Sequence, residues 1–125
     1  MIRFSDLNGQ TLISIEGCKA ESEVIIFRTE SGRVYKMYHD QDCCERVSVE
    51  DVIGSVEDII GEPILLAEEV TSENDPEDII KTDHDDSFTW TFYKLATNKG
   101  YLTIRWYGES NGYYSESVYF YEKVS

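Results

Sequence analysis

From Phe88 onward the chain alternates with a period of two, and this pattern constrains the fold more than any other feature. Phe88, Trp90 and Phe92 alternate with Thr89, Thr91 and Tyr93. After the turn signal Asn98-Lys99-Gly100, Leu102, Ile104 and Trp106 alternate with Tyr101, Thr103, Arg105 and Tyr107. Successive side chains of a strand point to opposite faces, so such runs suit a sheet with one buried side. Gly108–Gly112 turns again, and Tyr114–Glu122 completes an expected three-stranded antiparallel meander with Val118 and Phe120 on its core side.

The first third reads the same way. Thr11–Glu16 alternates with Ile13 and Ile15 on one face, and Glu23–Thr29 is a more continuous apolar run. Glu30-Ser31-Gly32 offers a turn before Arg33–His39 returns, which predicts a hairpin. Between these β regions the period changes. Val49-Glu-Asp-Val-Ile-Gly54 recurs as Val56-Glu-Asp-Ile-Ile-Gly61, and each copy follows a serine that begins a Ser-Val-Glu-Asp capping pattern. Two short helical turns are therefore expected around residues 48–61, with the acids favouring the helix dipole. Pro63 opens Ile64-Leu65-Leu66-Ala67, expected as a strand buried against the sheet. Asp75-Pro76-Glu77-Asp78 has the cap-plus-proline signature of one further turn reaching Lys81.

The expected class is mainly β (α+β): an antiparallel sheet or meander, sandwich- or half-barrel-like, in a single domain over residues 1–125. Length alone favours one domain. An acidic helical or loop insertion over about 40–86 would separate the N-terminal hairpin from the C-terminal meander.

Charge is unevenly distributed. The chain is −14 overall, yet residues 40–86 hold seventeen Asp and Glu against only Arg46 and Lys81, and the remainder is close to neutral. A net of this sign argues against direct binding to nucleic acid or to an anionic membrane. No apolar run reaches the roughly eighteen residues of a membrane span, and no apolar N-terminal leader is evident. Cys18, Cys43 and Cys44 form no disulfide framework, and the adjacent pair has unfavourable geometry for bonding to itself. The cytoplasm is the expected compartment.

Four constellations bear on chemistry. On the polar face of the last strands, Arg105 would stand among Tyr101, Tyr107 and Tyr119, with Asn111, Tyr113 and Tyr114 at the rim. Tyrosines supply stacking faces and hydroxyls, and an arginine fork suits phosphate or carboxylate. The plainer alternatives are cross-strand tyrosine pairing or a face buried against a second subunit. His39-Asp40-Gln41-Asp42-Cys43-Cys44-Glu45 has metal-ligand residue types without metal-ligand spacing, and a Cys–His nucleophile would lack an orienting third group. Asp83-His84-Asp85-Asp86 lacks the spaced ligands of a calcium loop. Glu50, Asp51, Glu57 and Asp58, on rigid turns, could imitate a phosphate backbone, or could simply keep the surface solvated. No phosphate-binding glycine loop, nucleophile elbow or zinc-protease motif is present, so neither a metal nor a cofactor is expected.

The stretch His39-Asp-Gln-Asp-Cys-Cys-Glu45 through Pro63-Ile-Leu-Leu-Ala-Glu-Glu69, with Arg105-Trp-Tyr-Gly-Glu-Ser-Asn-Gly-Tyr-Tyr-Ser-Glu-Ser-Val118, resembles a family of small proteins of unknown function encoded by bacteriophages and prophage-bearing bacteria. The resemblance spans roughly residues 33–120 and implies a habitat rather than an activity. It suggests a non-enzymatic counter-defence protein in the host cytoplasm. In the leading expectation, a homo-oligomer sequesters a small nucleotide-like immune signal on the Tyr/Arg face. In the alternative, the acidic segment mimics nucleic acid and blocks a host nucleic-acid-binding defence protein.

Overall fold

The computed structural model describes residues 2–74, 87–112 and 114–123. The expected helical turn from Asp75 to Lys81, the cluster Asp83–Asp86, and Tyr113 lie outside the described residues. Eight strands run in the order β1 (Leu12–Glu16), β2 (Val24–Thr29), β3 (Val34–Tyr38), β4 (Arg46–Gly54), β5 (Leu66–Ser72), β6 (Ser87–Thr97), β7 (Gly100–Ser110) and β8 (Tyr119–Lys123). They form two four-stranded antiparallel sheets, ordered β1-β2-β3-β8 and β4-β7-β6-β5. The architecture is a mostly β, sandwich-like pair of sheets and not a closed barrel. Helical geometry among the described residues is confined to 3-10 turns at Phe4–Leu7 and Val56–Asp58. No helix among them is long and apolar enough to cross a membrane.

One core joins the sheets. Ile25, Phe27, Tyr35 and Met37 from the first meet Val47, Val49, Tyr93, Leu95, Leu102, Ile104 and Trp106 from the second. The Trp106 indole N–H donates to Met37 Sδ at 3.2 Å across the interface, satisfying a buried donor with a weak acceptor. Phe4, from the first 3-10 turn, sits edge-on to Phe27, Tyr93 and Phe120.

The hairpin β2–β3 forms as the sequence predicts, with Gly32 at φ +93° in its turn. Two β-bulges alter what alternation alone implies. Between Leu12 and Ser14 the register slips, so Leu12 and Ile15 face inward while Ile13 is left exposed. Between Val49 and Asp51 it slips again, making Glu50 the extra residue. A bulge shifts side-chain parity, so Val47 and Val49 are followed inward by Val52. Apolar positions at 49, 52 and 56 thereby imitate a helical spacing. The first of the two expected turns, Ser48–Gly54, is in fact most of β4. Its valines gain more by burial against Trp106 than local capping offers. The second survives as Val56–Asp58. The segment after Pro63 is a buried strand only in part. Ile64 and Ala67 enter the core while Leu65 and Leu66 are exposed, and the strand itself, β5, starts at Leu66 at the end of its sheet.

The expected three-stranded C-terminal meander reduces to the hairpin β6–β7. After Ser110 the chain leaves the second sheet, and β8 pairs with β3 in the first, Phe120 opposite Met37. Two buried carboxylates hold this crossing. Glu116 accepts from Thr89 Oγ1 at 2.8 Å and from Ser110 Oγ at 2.6 Å. His39 bridges the two sides, hydrogen-bonded through Nδ1 to the Ser117 carbonyl at 2.7 Å and through Nε2 to Glu45 Oε2 at 2.9 Å, the His39 and Glu45 side chains being nearly sealed from solvent. Burial would raise the Glu45 carboxyl, but His39, its own backbone and the amides of Asp42 and Cys43 outweigh it. Its pKa falls from the ordinary 4.5 to about 2. Gly108 lets the crossing pass close by, since a Cβ there would meet the Glu116 carbonyl at 2.9 Å and Val47 Cγ2 at 3.1 Å.

Gly108→Ala should destabilise the protein by about 1–3 kcal/mol through overpacking, read by urea denaturation; a change within about 0.5 kcal/mol, typical of an unconstrained surface site, would contradict the close approach. A second test concerns pH. Because the folded-state pKa of Glu45 is depressed, its contribution is complete above about pH 4.5 and is lost as pH falls towards about 2. Thermal melts should show wild type losing stability more steeply than Glu45→Gln across that window, and parallel curves would remove Glu45 from the account.

Candidate functional site

The crossing divides the tyrosines expected to act together. Tyr101, Arg105 and Tyr107 lie on the outer face of the second sheet, whereas Tyr119 belongs to the first. The outer face of β6 and β7 also carries Phe88, Trp90 and Phe92, since Trp90 pairs with Tyr107 and Phe92 with Arg105. Tyr107 packs on Trp90 at 4.6 Å between ring centroids and donates its hydroxyl to Glu109 at 3.2 Å. Tyr101 is 58% exposed, farther along the same strand. Asn111 is exposed and Tyr114 half-buried in the stretch after β7.

Arg105 is only 4% exposed. Its Nε donates to Glu50 Oε2 at 2.6 Å, Asp51 lies 3.8 Å from its Nη2, and its guanidinium carbon stands 5.5 Å from the Trp90 ring centroid. The bulge in β4 is what aims Glu50 and Asp51 at one arginine, a re-aiming that bulges commonly perform. The residue expected to hold an anion is thus engaged by two of the carboxylates expected to meet a basic partner. The other two stand elsewhere: Glu57 is exposed in the 3-10 turn, and Asp58 accepts from Thr97 Oγ1 through its carbonyl beside Gly100.

The segment His39–Glu45 is a polar knot. Gln41 donates to Glu45, and the Cys43 amide does the same. Cys43 and Cys44 are joined to each other, contrary to the reading from adjacency. The segment is a turn wrapped around Glu45, where neighbouring side chains need not face opposite ways as they do in a strand. Cys18 remains a free thiol, pushed up to about 11 by burial. Among the described residues no group of three or more His, Cys, Asp or Glu side chains is placed to hold a metal ion.

The concave feature that alternation does not disclose lies between an end strand of each sheet. Among the described residues β8 is bonded only to β3, whereas β5 pairs with β6 and also has the first 3-10 turn packed against it, with Gly9 and Gln10 exchanging backbone hydrogen bonds with Ile64. Between β8 and β5 runs a groove of about 850 Å³, within the range of ligand sites. Tyr119, Phe120 and Tyr121 from β8 and Tyr38 from β3 form one wall; Ala67, Glu68 and Glu69 from β5 form the other; Arg3, Phe4 and Tyr93 close it. The rings of Tyr38 and Tyr121 meet edge to face at 5.6 Å, and Tyr38 and Tyr119 lie 5.9 Å apart. Tyr93 donates its hydroxyl to Glu69 at 3.2 Å; burial, reinforced by Glu69, pushes that hydroxyl's pKa well up and keeps it a donor. The alternation of Tyr119 and Tyr121 with Phe120 is visible in the sequence, but pairing with Tyr38 across some eighty intervening residues is not.

No curated protein and no solved structure matches the chain. A family model does, over residues 5–120, and the chain belongs to that family, described as a domain of unknown function, DUF7448.

Proposed function

We propose that this protein is a non-enzymatic binder that takes its ligand in the groove between β8 and β5. The observation that carries the reading is the groove itself: an aromatic-walled concavity between an end strand of each sheet, with the edge of β8 unpaired among the described residues. Tyrosines offer rigid contact area at small entropic cost. Against catalysis stand the engagement of both His39 ring nitrogens and the raised pKa of the Cys18 thiol, which leave those two without the freedom of a base or nucleophile.

Sequestration of a small signal by a phage-type counter-defence protein in the host cytoplasm belongs to the same proposal, with the site moved from the β7 face to the groove. A nucleotide-like ligand would need a cation there, and among the described residues Arg3 is the only one in the lining. A second reading, an acidic inhibitor of a nucleic-acid-binding protein, draws support from exposed Asp40, Asp42, Glu57, Glu68 and Glu73 on a chain of net charge −14. Binding of that kind should weaken steeply with added salt.

Native mass spectrometry of the protein purified gently from cells, before and after incubation with a small-molecule extract, tests the site. A bound mass should be lost in Tyr119→Ala, with affinity down roughly tenfold for one aromatic contact of about 1–3 kcal/mol. Tyr101→Ala, on the β7 face, should retain it. Loss in Tyr101→Ala with retention in Tyr119→Ala would return the site to the face around Arg105.

A further inference from the structure

We infer that the groove receives an extended peptide segment bearing lysine or arginine, added as a strand to the open edge of β8; this rests on the groove being the binding site. Three independent features converge on that occupant. The first is the main chain. Strand β8 runs five residues and is hydrogen-bonded on one side alone among the described residues. An unpaired edge presents a row of donors and acceptors that a further strand satisfies. A compact small molecule uses little of such a row.

The second is the side-chain chemistry of the walls. Glu68 and Glu69 line a groove whose one cation among the described residues is Arg3, with Glu69 on the side of Tyr93, and Tyr38, Tyr119 and Tyr121 line it from the first sheet. A long basic side chain lays its methylenes on tyrosine rings and its head against a carboxylate. The molecule already makes half of this contact internally: Lys36 Nζ stands 4.5 Å from the Tyr38 ring centroid. Glu69 is oriented by the Tyr93 hydroxyl, so one carboxylate is held in place before any ligand arrives.

The third is the field of the whole chain. At −14, the protein attracts a basic segment from a distance and repels a nucleotide.

The test uses the full chain and a fluorescein-labelled octapeptide of alternating lysine and valine, followed by anisotropy. Controls are the same peptide N-methylated at every second residue, a glutamate–valine counterpart, spermidine and ATP as competitors, and the double variant Glu68→Gln/Glu69→Gln. Glutamine keeps an acceptor for Tyr93, and both positions are exposed, so the variant should melt as wild type does. The lysine peptide should bind, weaken about fivefold to tenfold in the double variant, as two partly exposed charge pairs allow, and lose binding on N-methylation. Equal binding of the methylated peptide, or full displacement by spermidine, would overturn strand addition in favour of a simple cation site. Displacement by ATP alone would overturn the charge assignment. If no peptide binds while a cellular ligand is still lost in Tyr119→Ala, the inference fails and the groove stands; if neither is seen, both fail.

Discussion

Everything downstream of the fold depends on how the chain gets from β7 to β8. A continued meander would have placed β8 beside β7, in the position that β4 occupies, and left β3 as the edge of the first sheet. Instead Glu116 grips Thr89 and Ser110 while His39 holds the Ser117 carbonyl, and β8 is delivered to β3. This single crossing evens the sheets at four strands each. It also brings the unpaired edge of β8 to the side of β5, where the groove lies.

The crossing is held by buried polar groups. Carboxylates removed from water are costly unless their oxygens are satisfied, and a satisfied one specifies a geometry that apolar packing leaves loose. Glu45 receives hydrogen bonds from His39, Gln41 and two backbone amides, and Glu116 from two hydroxyls. Gly108 supplies the matching absence of a side chain. On the far side of the second sheet the buried Arg105 is held by the partly exposed Glu50 and Asp51 and stands against Trp90. There a guanidinium of the kind that suits an anionic ligand serves the sheet instead, joining β4, β7 and β6.

The class of fold, the β2–β3 hairpin and the β6–β7 hairpin with its Asn98-Lys99 turn are legible in the sequence, because alternation reports burial directly wherever a strand is regular. Two bulges break that rule. At Ile13 and Glu50 one added residue reverses the parity of the rest of the strand, and in β4 the result copies a helical period closely enough to pass for one. Alternation also says which residues share a face, never which strand lies alongside. Thus it places Val118 and Phe120 inward, as the structure does, yet gives the wrong neighbour for β8. It places Arg105 on the outer face of β7, yet nothing local tells that the β4 bulge brings Glu50 to it. Tyr93 shares its side of β6 with the threonines, and that side turns out to face the core, with Trp90 and Phe92 on the outer one.

The pairing of β8 with β3 is the claim on which the groove, its tyrosine wall and its ligand class all stand. Nuclear Overhauser contacts between the aromatic rings in solution measure it most directly. The structure requires contacts from Phe120 to Tyr35, whose stacked rings lie 5.3 Å apart, and from Tyr119 and Tyr121 to Tyr38. Contacts from Tyr119 or Tyr121 to Tyr101 and Tyr107, with none to Tyr35 or Tyr38, would restore the meander and remove the groove with it.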